Sequence, residues 1–186
     1  MRRLAFILGL LLAGAPAAAR AADWSMEPSG SRLEFVASFE NNAAPGMFKD
    51  FDVRMRFDPD KPASGRLDVT IRTTSADMSS EDINKAIRGP EWFDSARFPQ
   101  AEFHATEIGR TAANRFLARG VLSLKGAQQP VEVPFSWTGT ADAATIAGEI
   151  GVNRRLFGIG TGEWAATNVV GAEVKVRFSV RLRRSN

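Results

Sequence analysis

The sequence predicts an all-β protein, an eight-stranded antiparallel up-and-down barrel with one short helix around residues 79–88. Three observations predict this class. Apolar and polar residues alternate with a period of two in eight segments, short turns rich in glycine, proline, asparagine or aspartate separate most of them, and one segment breaks the alternation. A two-sheet sandwich fits the alternation equally well, but closure into a barrel also removes exposed strand edges.

Each alternating segment places a row of apolar side chains on one face of a strand and polar side chains on the other. In the first segment, Leu33, Phe35 and Ala37 share a face, while Arg32 and Glu34 lie on the opposite face. The apolar rows together define the predicted interior of the barrel. The eight segments span residues 33–39, 51–57, 67–71, 101–105, 116–124, 131–137, 146–152 and 170–182.

The segment that breaks the alternation, SSEDINKAIR over residues 79–88, predicts a short helix. Ser79 and Asp82 resemble a capping box, in which a hydroxyl and a carboxylate satisfy the free backbone N–H groups at a helix start. Gly89 and Pro90 follow directly and end the predicted helix.

Residues 1–21 have the pattern of a secretory signal peptide. Arg2 and Arg3 precede an apolar run over residues 4–15, and residues 19–21 form an A-x-A cleavage pattern. The run is too short for a mature membrane anchor, so we expect a secreted chain with one domain over residues 22–186. Removing the leader takes away three of the 24 basic residues and none of the 21 acidic ones, which leaves no net charge. No broad basic face remains, and no nucleic-acid partner is expected.

Residues that usually carry catalysis or bind metals are scarce. The chain has no cysteine and a single histidine, His104, which the alternation places on an outer strand face beside Glu102 and Thr106. No G-x-S-x-G motif occurs. The glycines at 158, 160 and 162 have G-x-G-x-G spacing, which differs from the dinucleotide-binding fingerprint. We therefore expect no enzyme activity, no metal site and no cofactor.

The predicted inner faces mix large and small residues. Small inward side chains leave room for one slender apolar ligand in an eight-stranded barrel. They also serve in a filled core, where they make space for bulky neighbours, and the pattern fits both arrangements. The large residues are Phe35, Phe57, Phe103, Phe116, Phe135 and Trp137, and the small ones are Ala37, Ala101, Ala105, Ala118, Gly120 and Gly148.

Four stretches together resemble the YceI-like family of lipid- and polyisoprenoid-binding proteins. They are residues 24–35 at the start, GPEWFDSARFPQAEFHATEI at 89–108, GVLSLKGAQQPVEVPFSW at 120–137, and NRRLFGIGTGEWA at 153–165. The resemblance implies a lipocalin-like barrel that holds a long isoprenoid or acyl chain in the periplasm. GPEWFD and GIGTGEW resemble a branch whose members can accompany a b-type cytochrome membrane domain.

The resemblance also implies where a ligand binds. The glycine-rich segment becomes a tight turn between strands, in which glycine supplies a positive φ. Phe157 and Trp164 then fold toward the barrel, with Trp92 and Phe93 from the other long connection. Arg154 and Arg155 are assigned either to surface salt bridges or to a clamp on an anionic headgroup. The predicted ligand-binding residues are Phe35, Phe39, Met55, Phe57, Leu67, Val69, Ile71, Trp92, Phe93, Phe103, Phe116, Ala118, Leu122, Phe135, Trp137, Ile150, Phe157 and Trp164.

Three functions follow as hypotheses. The first is a periplasmic carrier or sequestering protein for a polyisoprenoid, an isoprenoid quinone or a similar lipid. The second is a docking module for a respiratory membrane complex containing a b-type cytochrome, with no ligand of its own. The third, a hydrolase or isomerase acting on a lipid, needs polar residues inside the barrel, and the inward rows supply almost none. Transient contact with a membrane or a b-type cytochrome is left open, as is the choice between monomer and dimer.

Overall fold

A computed structural model describes residues 21–185 as ten strands and one α-helix. The predicted leader therefore lies outside the described residues, except for Ala21. Single 3-10 turns span Pro62–Ser64, Thr73–Ser75, Arg154–Phe157 and Gly162–Ala165. The α-helix, α1, spans Glu81–Ile87. The strands are β1 Ala22–Phe39, β2 Asn42–Phe48, β3 Phe51–Phe57, β4 Arg66–Arg72, β5 Ala76–Asp77, β6 Gln100–Ala112, β7 Arg115–Leu124, β8 Ala127–Gly139, β9 Ala143–Asn153 and β10 Glu173–Arg184.

Eight of these strands close into an antiparallel barrel in the order β1, β3, β4, β6, β7, β8, β9 and β10, with β10 pairing back onto β1. This confirms the predicted barrel and excludes the sandwich. Closure depends on the long strand β1, which pairs with β3 at its start over residues 22–25 and with β10 along most of its length.

Two short strands were not predicted. Beyond the end of its pairing with β3, β1 pairs with β2 over residues 34–39, and β2 in turn pairs with β5. Pro45 and Gly46 interrupt the alternation of β2 and are typical turn residues, while β5 is only two residues long. Neither strand therefore carries a recognisable period.

The single helix is confirmed, but its start differs from the prediction. Ser80 is the N-cap, and its hydroxyl accepts a hydrogen bond from the Ile83 backbone N–H at 3.5 Å. Ser79, the predicted cap, lies one residue earlier with a φ of 60°. The position that a capping-box carboxylate would occupy is therefore Ile83, and the reciprocal half of the predicted box is absent. The helix ends before Gly89, whose N–H donates to Ala86 O.

One end of the barrel is packed solid by aromatic rings. We call Trp24, Phe57, Phe116, Phe135 and Trp137 the aromatic plug; all five are buried in one cluster. Ring centroids lie 5.0 Å apart for Trp24–Trp137 and Phe57–Phe116 and 4.9 Å apart for Phe57–Trp137. The plug lies where β1 and β7 begin and where β3 and β8 end. Here the small inward residues Ala105, Ala118 and Ala144 leave room for rings, as a filled core requires.

The outer face carries cross-strand charge pairs. Arg119 on β7 bonds to Glu107 on β6 and Glu132 on β8, each at 2.8 Å. His104 faces outward as predicted, and its Nδ1 lies 2.8 Å from a carboxylate oxygen of Asp68 on β4. The hydrogen bond to Asp68 raises the pKa of His104 above its ordinary value. Because these groups are exposed, the pairs contribute little to stability.

The environment of His104 predicts a specific titration. We expect its pKa, followed by proton NMR, to lie above 6.5 and to fall toward that value in Asp68→Asn, which removes the main partner. Its small stabilising contribution is complete below pH 6.5 and is lost as the pH rises through the folded-state pKa. His104→Ala should change the free energy of unfolding by less than about 0.5 kcal/mol. An unchanged pKa in Asp68→Asn would show that the contact does not form in solution.

Candidate apolar binding cavity

The end of the barrel opposite the aromatic plug contains an apolar cavity with a volume of about 510 Å³. That volume lies within the range of pockets that enclose small organic ligands. Inward residues of β1, β3, β4, β6, β7, β8, β9 and β10 form its walls, and α1 and the long connections lie across its open end. Of the residues predicted to bind ligand, those on the wall are Phe35, Phe39, Leu67, Val69, Ile71, Trp92, Phe93, Phe103, Leu122, Ile150 and Trp164.

The surface facing the cavity is apolar. Thr73 is one of the few polar residues at the wall, and its hydroxyl donates to the Phe98 carbonyl at 2.8 Å. Arg154 also borders the cavity, but its polar atoms are engaged elsewhere, as described below. A hydrocarbon chain fits such a wall, whereas a charged or strongly polar group inside would lose its hydration without gaining partners.

The structure corrects the predicted lining for seven residues. Six of them, Met55, Phe57, Phe116, Ala118, Phe135 and Trp137, belong to the solid core at the plugged end and do not border the cavity. Alternation identifies which side chains face inward but not how far along the barrel axis the interior is filled. The seventh, Phe157, is buried but also does not line the cavity.

Several wall residues were missed by the sequence analysis. Phe48 and Met78 lie on or beside β2 and β5, the strands without a recognisable period. From α1, Ile83, Ala86 and Ile87 line the cavity. Their i, i+3, i+4 spacing is the apolar stripe of an amphipathic helix, so this contribution could have been recognised. Other wall residues lie on rows that were predicted to face inward but were not among the predicted ligand-binding residues; they include Phe51, Val170, Val174, Val176 and Phe178. Ile159, in the connection after β9, also lines the cavity.

Helix α1 is joined to the sheet through Asn84. Its side chain donates to an Asp77 carboxylate oxygen and accepts from the Met78 backbone N–H, both at 2.7 Å. Asp77 also forms an ion pair with Lys49. The hydrogen bond from Lys49, followed by those from Asn84 and Ser79, lowers the pKa of Asp77 to about 2. Asp77 therefore stays ionised, and its bonds to α1 persist, at all but strongly acidic pH.

The connection between β9 and β10, residues 154–172, is organised around the side chain of Arg154. Arg154 is 3% exposed, and the five N–H groups of its guanidinium donate to five backbone carbonyls at 2.7–2.9 Å. Burial lowers the pKa of this guanidinium, but arginine remains charged. The accepting carbonyls belong to Ile159, Gly160, Trp164, Val170 and Gly171.

Neither predicted role fits Arg154. Its five donors are all used within the connection, so none is left for a headgroup, and it forms no ion pair among residues 21–185. The physical reason is that a buried loop exposes many carbonyls to a dry interior, where they need donors. Arg155, the neighbouring cation, lies exposed on the surface of the same connection.

The three glycines of this connection are explained by the same arrangement. Gly158, Gly160 and Gly162 have φ values of 63°, 71° and 61°, which confirms the predicted need for positive φ. Gly160 has a second constraint, because a Cβ atom there would lie 2.3 Å from Nη1 of Arg154. Glycine at 160 therefore leaves the space that the Arg154 side chain needs.

Three segments are tied together beside the cavity. The backbone N–H groups of Gly160 and Thr161 donate to the Glu91 carbonyl at 2.8 and 3.0 Å. Lys125, in the β7–β8 turn, donates to the carbonyls of Pro90 and Gly158, both at 2.7 Å. These hydrogen bonds hold residues 90–91, 125 and 158–161 together at the open end of the cavity, which we call the mouth. The wall residues Phe39 and Ile83 are 43% and 45% exposed, so each borders both the cavity and the solvent.

Within the described part of the chain, no helix has the length and apolar character needed to cross a membrane. No group of three or more His, Cys, Asp or Glu side chains in residues 21–185 is placed to hold a metal ion.

Comparison with known proteins gives consistent matches. A family model described as the YceI-like domain matches residues 24–182. A UPF0312 protein from Yersinia pestis (strain Pestoides F) is 32% identical over 139 residues, which cover 73% of this chain and 71% of the relative. The crystal structure of Burkholderia cenocepacia BcnA superimposes with a TM-score of 0.81 at 31% identity and covers 84% of this chain and 98% of BcnA.

A more distant structure shares the fold. A polyisoprenoid binding domain from Saccharophagus degradans, implicated in plant cell wall breakdown, superimposes with a TM-score of 0.71 and covers 89% of this chain and all of that domain. Its sequence identity is 15%, so this likeness is evidence of common architecture.

The carbonyl cluster around Arg154 predicts that substitution of Arg154 lowers the stability of the protein much more than the same substitution of its neighbour Arg155. Arg154→Lys should lower the free energy of unfolding by on the order of 2 kcal/mol, because lysine has three donors in place of five and leaves buried carbonyls unpaired. The control Arg155→Lys should change it by less than about 0.5 kcal/mol. Denaturant unfolding measures both, and limited proteolysis should cut residues 154–172 faster only in Arg154→Lys. Equal stability of the two variants would contradict the assigned role.

Proposed function

This chain belongs to the YceI-like family, and on that premise we propose that it binds a long apolar chain, such as a polyisoprenoid, an isoprenoid quinone or a similar lipid, inside its barrel. The observation that carries the proposal is the apolar cavity of about 510 Å³ at one end of a closed barrel. The polyisoprenoid binding domain from Saccharophagus degradans, which has the same fold, supports this ligand class.

Hydrocarbon burial supplies enough free energy for such binding. Each CH₂ group moved from water into an apolar environment contributes about 0.8 kcal/mol. A chain of several isoprene units therefore binds with few or no polar contacts. Because the wall offers no polar partners, selection acts on the length and girth of the chain, and a polar headgroup remains at the mouth beside Phe39 and Ile83.

The cavity suits binding better than catalysis. Acid–base or nucleophilic chemistry needs a titratable or nucleophilic group within hydrogen-bond reach of the reacting atom. Among the described residues, the charged side chain that borders the cavity is Arg154, and its N–H groups are committed to backbone carbonyls. The proposal is therefore a non-enzymatic carrier or sequestering protein. No feature of residues 21–185 specifically favours the docking-module hypothesis.

The cellular setting is part of the proposal. The basic start, apolar run and A-x-A pattern of residues 1–21 support export through a cleaved signal peptide to the periplasm. A carrier located there exchanges its ligand with a membrane, and contact with the membrane or with a b-type cytochrome would be transient.

Export predicts the N-terminus of the mature protein. We expect N-terminal sequencing of protein from the periplasm of its own host to begin at or next to Ala22, because cleavage follows the A-x-A pattern. Recovery of soluble periplasmic protein that retains Met1 would argue against a cleaved leader.

Filling the cavity should block the ligand. Val69 lies in the middle of β4, lines the cavity and is only partly buried. Val69→Trp should abolish uptake of geranylgeraniol, followed by native mass spectrometry, because the indole occupies ligand space. Its cost in stability without ligand should be small, since the added atoms enter an open cavity rather than a packed core.

Ala118→Phe is the matched control, because it adds a ring to an inward position in the solid core. We expect it to lower the free energy of unfolding by about 1–3 kcal/mol through overpacking, while the folded fraction still takes up the alcohol. If Val69→Trp bound the alcohol as well as the unmodified protein does, the cavity would not be the binding site.

A further inference from the structure

The boundary between the cavity and the solid core falls within strand β3. Val53 lines the cavity, whereas Met55, the next inward residue, does not, and Phe57 belongs to the aromatic plug. On β4, Leu67 pairs with Met55 and is the last inward residue of that strand to reach the cavity. Met55 therefore lies directly behind the floor of the cavity.

Met55 is held at this level from both sides. It pairs with Trp24 on β1 and with Leu67 on β4, and it is 2% exposed within the same cluster as the plug. Across β4 from it, the corresponding inward residue of β6 is Ala105, whose side chain is a single methyl group. Methionine is unbranched and flexible, and it commonly fills irregular gaps in a core.

We infer that Met55 sets the depth of the cavity and thereby the length of the apolar chain that the barrel holds. This inference rests on the proposed function. The part of the ligand chain that fits between the mouth and the floor contributes hydrophobic free energy to binding, whereas any further length stays outside the cavity. Affinity should therefore rise with chain length until the chain meets the floor, and then level off.

The test is the chain-length dependence of affinity for Met55→Ala. Lipid-free protein is titrated with isoprenoid alcohols from farnesol through geranylgeraniol to solanesol, and dissociation constants are measured by competition with a fluorescent lipid. Each further buried CH₂ tightens binding about fourfold. In Met55→Ala, the length at which affinity levels off should increase, with at least about tenfold tighter binding of the first alcohol too long for the unmodified protein.

Two further variants make the result specific. Ile108→Ala removes a similar volume from the solid core, where Ile108 packs close to Gly65 and pairs with Ala118 away from the cavity. It should leave the length dependence unchanged. Val53→Phe raises the floor by placing a ring inside the cavity, so affinity should level off at a shorter chain. Val53→Phe thus checks that the chain reaches the floor, and if Met55→Ala does not fold, the smaller truncation Met55→Val takes its place.

The outcomes separate the inference from the function on which it rests. Failure of the unmodified protein to bind any of the alcohols would overturn the proposed function. Normal binding with an unchanged length dependence in folded Met55→Ala or Met55→Val, together with a shorter limiting length in Val53→Phe, would overturn only the role of Met55. An unchanged length dependence in Val53→Phe would overturn the cavity as the binding site, and with it the proposed function. A shift in Ile108→Ala equal to that in Met55→Ala would also overturn the role of Met55, because the effect would then follow from general loosening of the core.

Discussion

The pairing of β1 with β10 is the constraint on which the rest of the structure depends. It closes eight strands into a ring with no free edge in the barrel wall, so every inward side chain must fit inside a fixed circumference. Where aromatic rings occupy that space, as Phe57, Phe116 and Trp137 do, the interior is solid. Toward the other end, inward residues such as Val69, Leu122 and Ile150 leave an apolar space between them. Two zones with different properties thus arise from one continuous inward face.

The mouth depends on a different kind of interaction. The 154–172 connection must cross the end of an apolar barrel, where its carbonyls have little access to water. The buried side chain of Arg154 donates hydrogen bonds to five of these carbonyls, and Gly160 leaves the space that this side chain occupies. This guanidinium has no acidic partner among the described residues, but the carbonyl dipoles surround its charge. The arginine therefore gives the loop a defined shape and leaves the adjacent cavity without a polar atom.

Much of this architecture could be predicted from sequence, for identifiable reasons. The strands of the barrel follow from periodicity, because burial on one face leaves a period in the residues, and α1 follows from the break in that period and from Gly89 and Pro90. Strand β2 was not predicted, because Pro45 and Gly46 interrupt the alternation of its apolar and polar residues. Ala118 was placed beside the ligand because alternation reports the facing direction and not the depth along the axis. The role of Arg154 depends on carbonyls from residues 159–171 meeting in space, and neighbouring arginines in a sequence give no sign of which one turns inward.

The aromatic plug restricts how a ligand can enter and leave the barrel. A barrel that is open at one end and solid at the other is a closed pocket and not a channel. A chain must enter and leave by the same route, so the part that enters first is the last to emerge. Under the proposed carrier function, a donor and an acceptor would both have to approach this same face. The protein would then act as a shuttle that releases one partner before it meets the next.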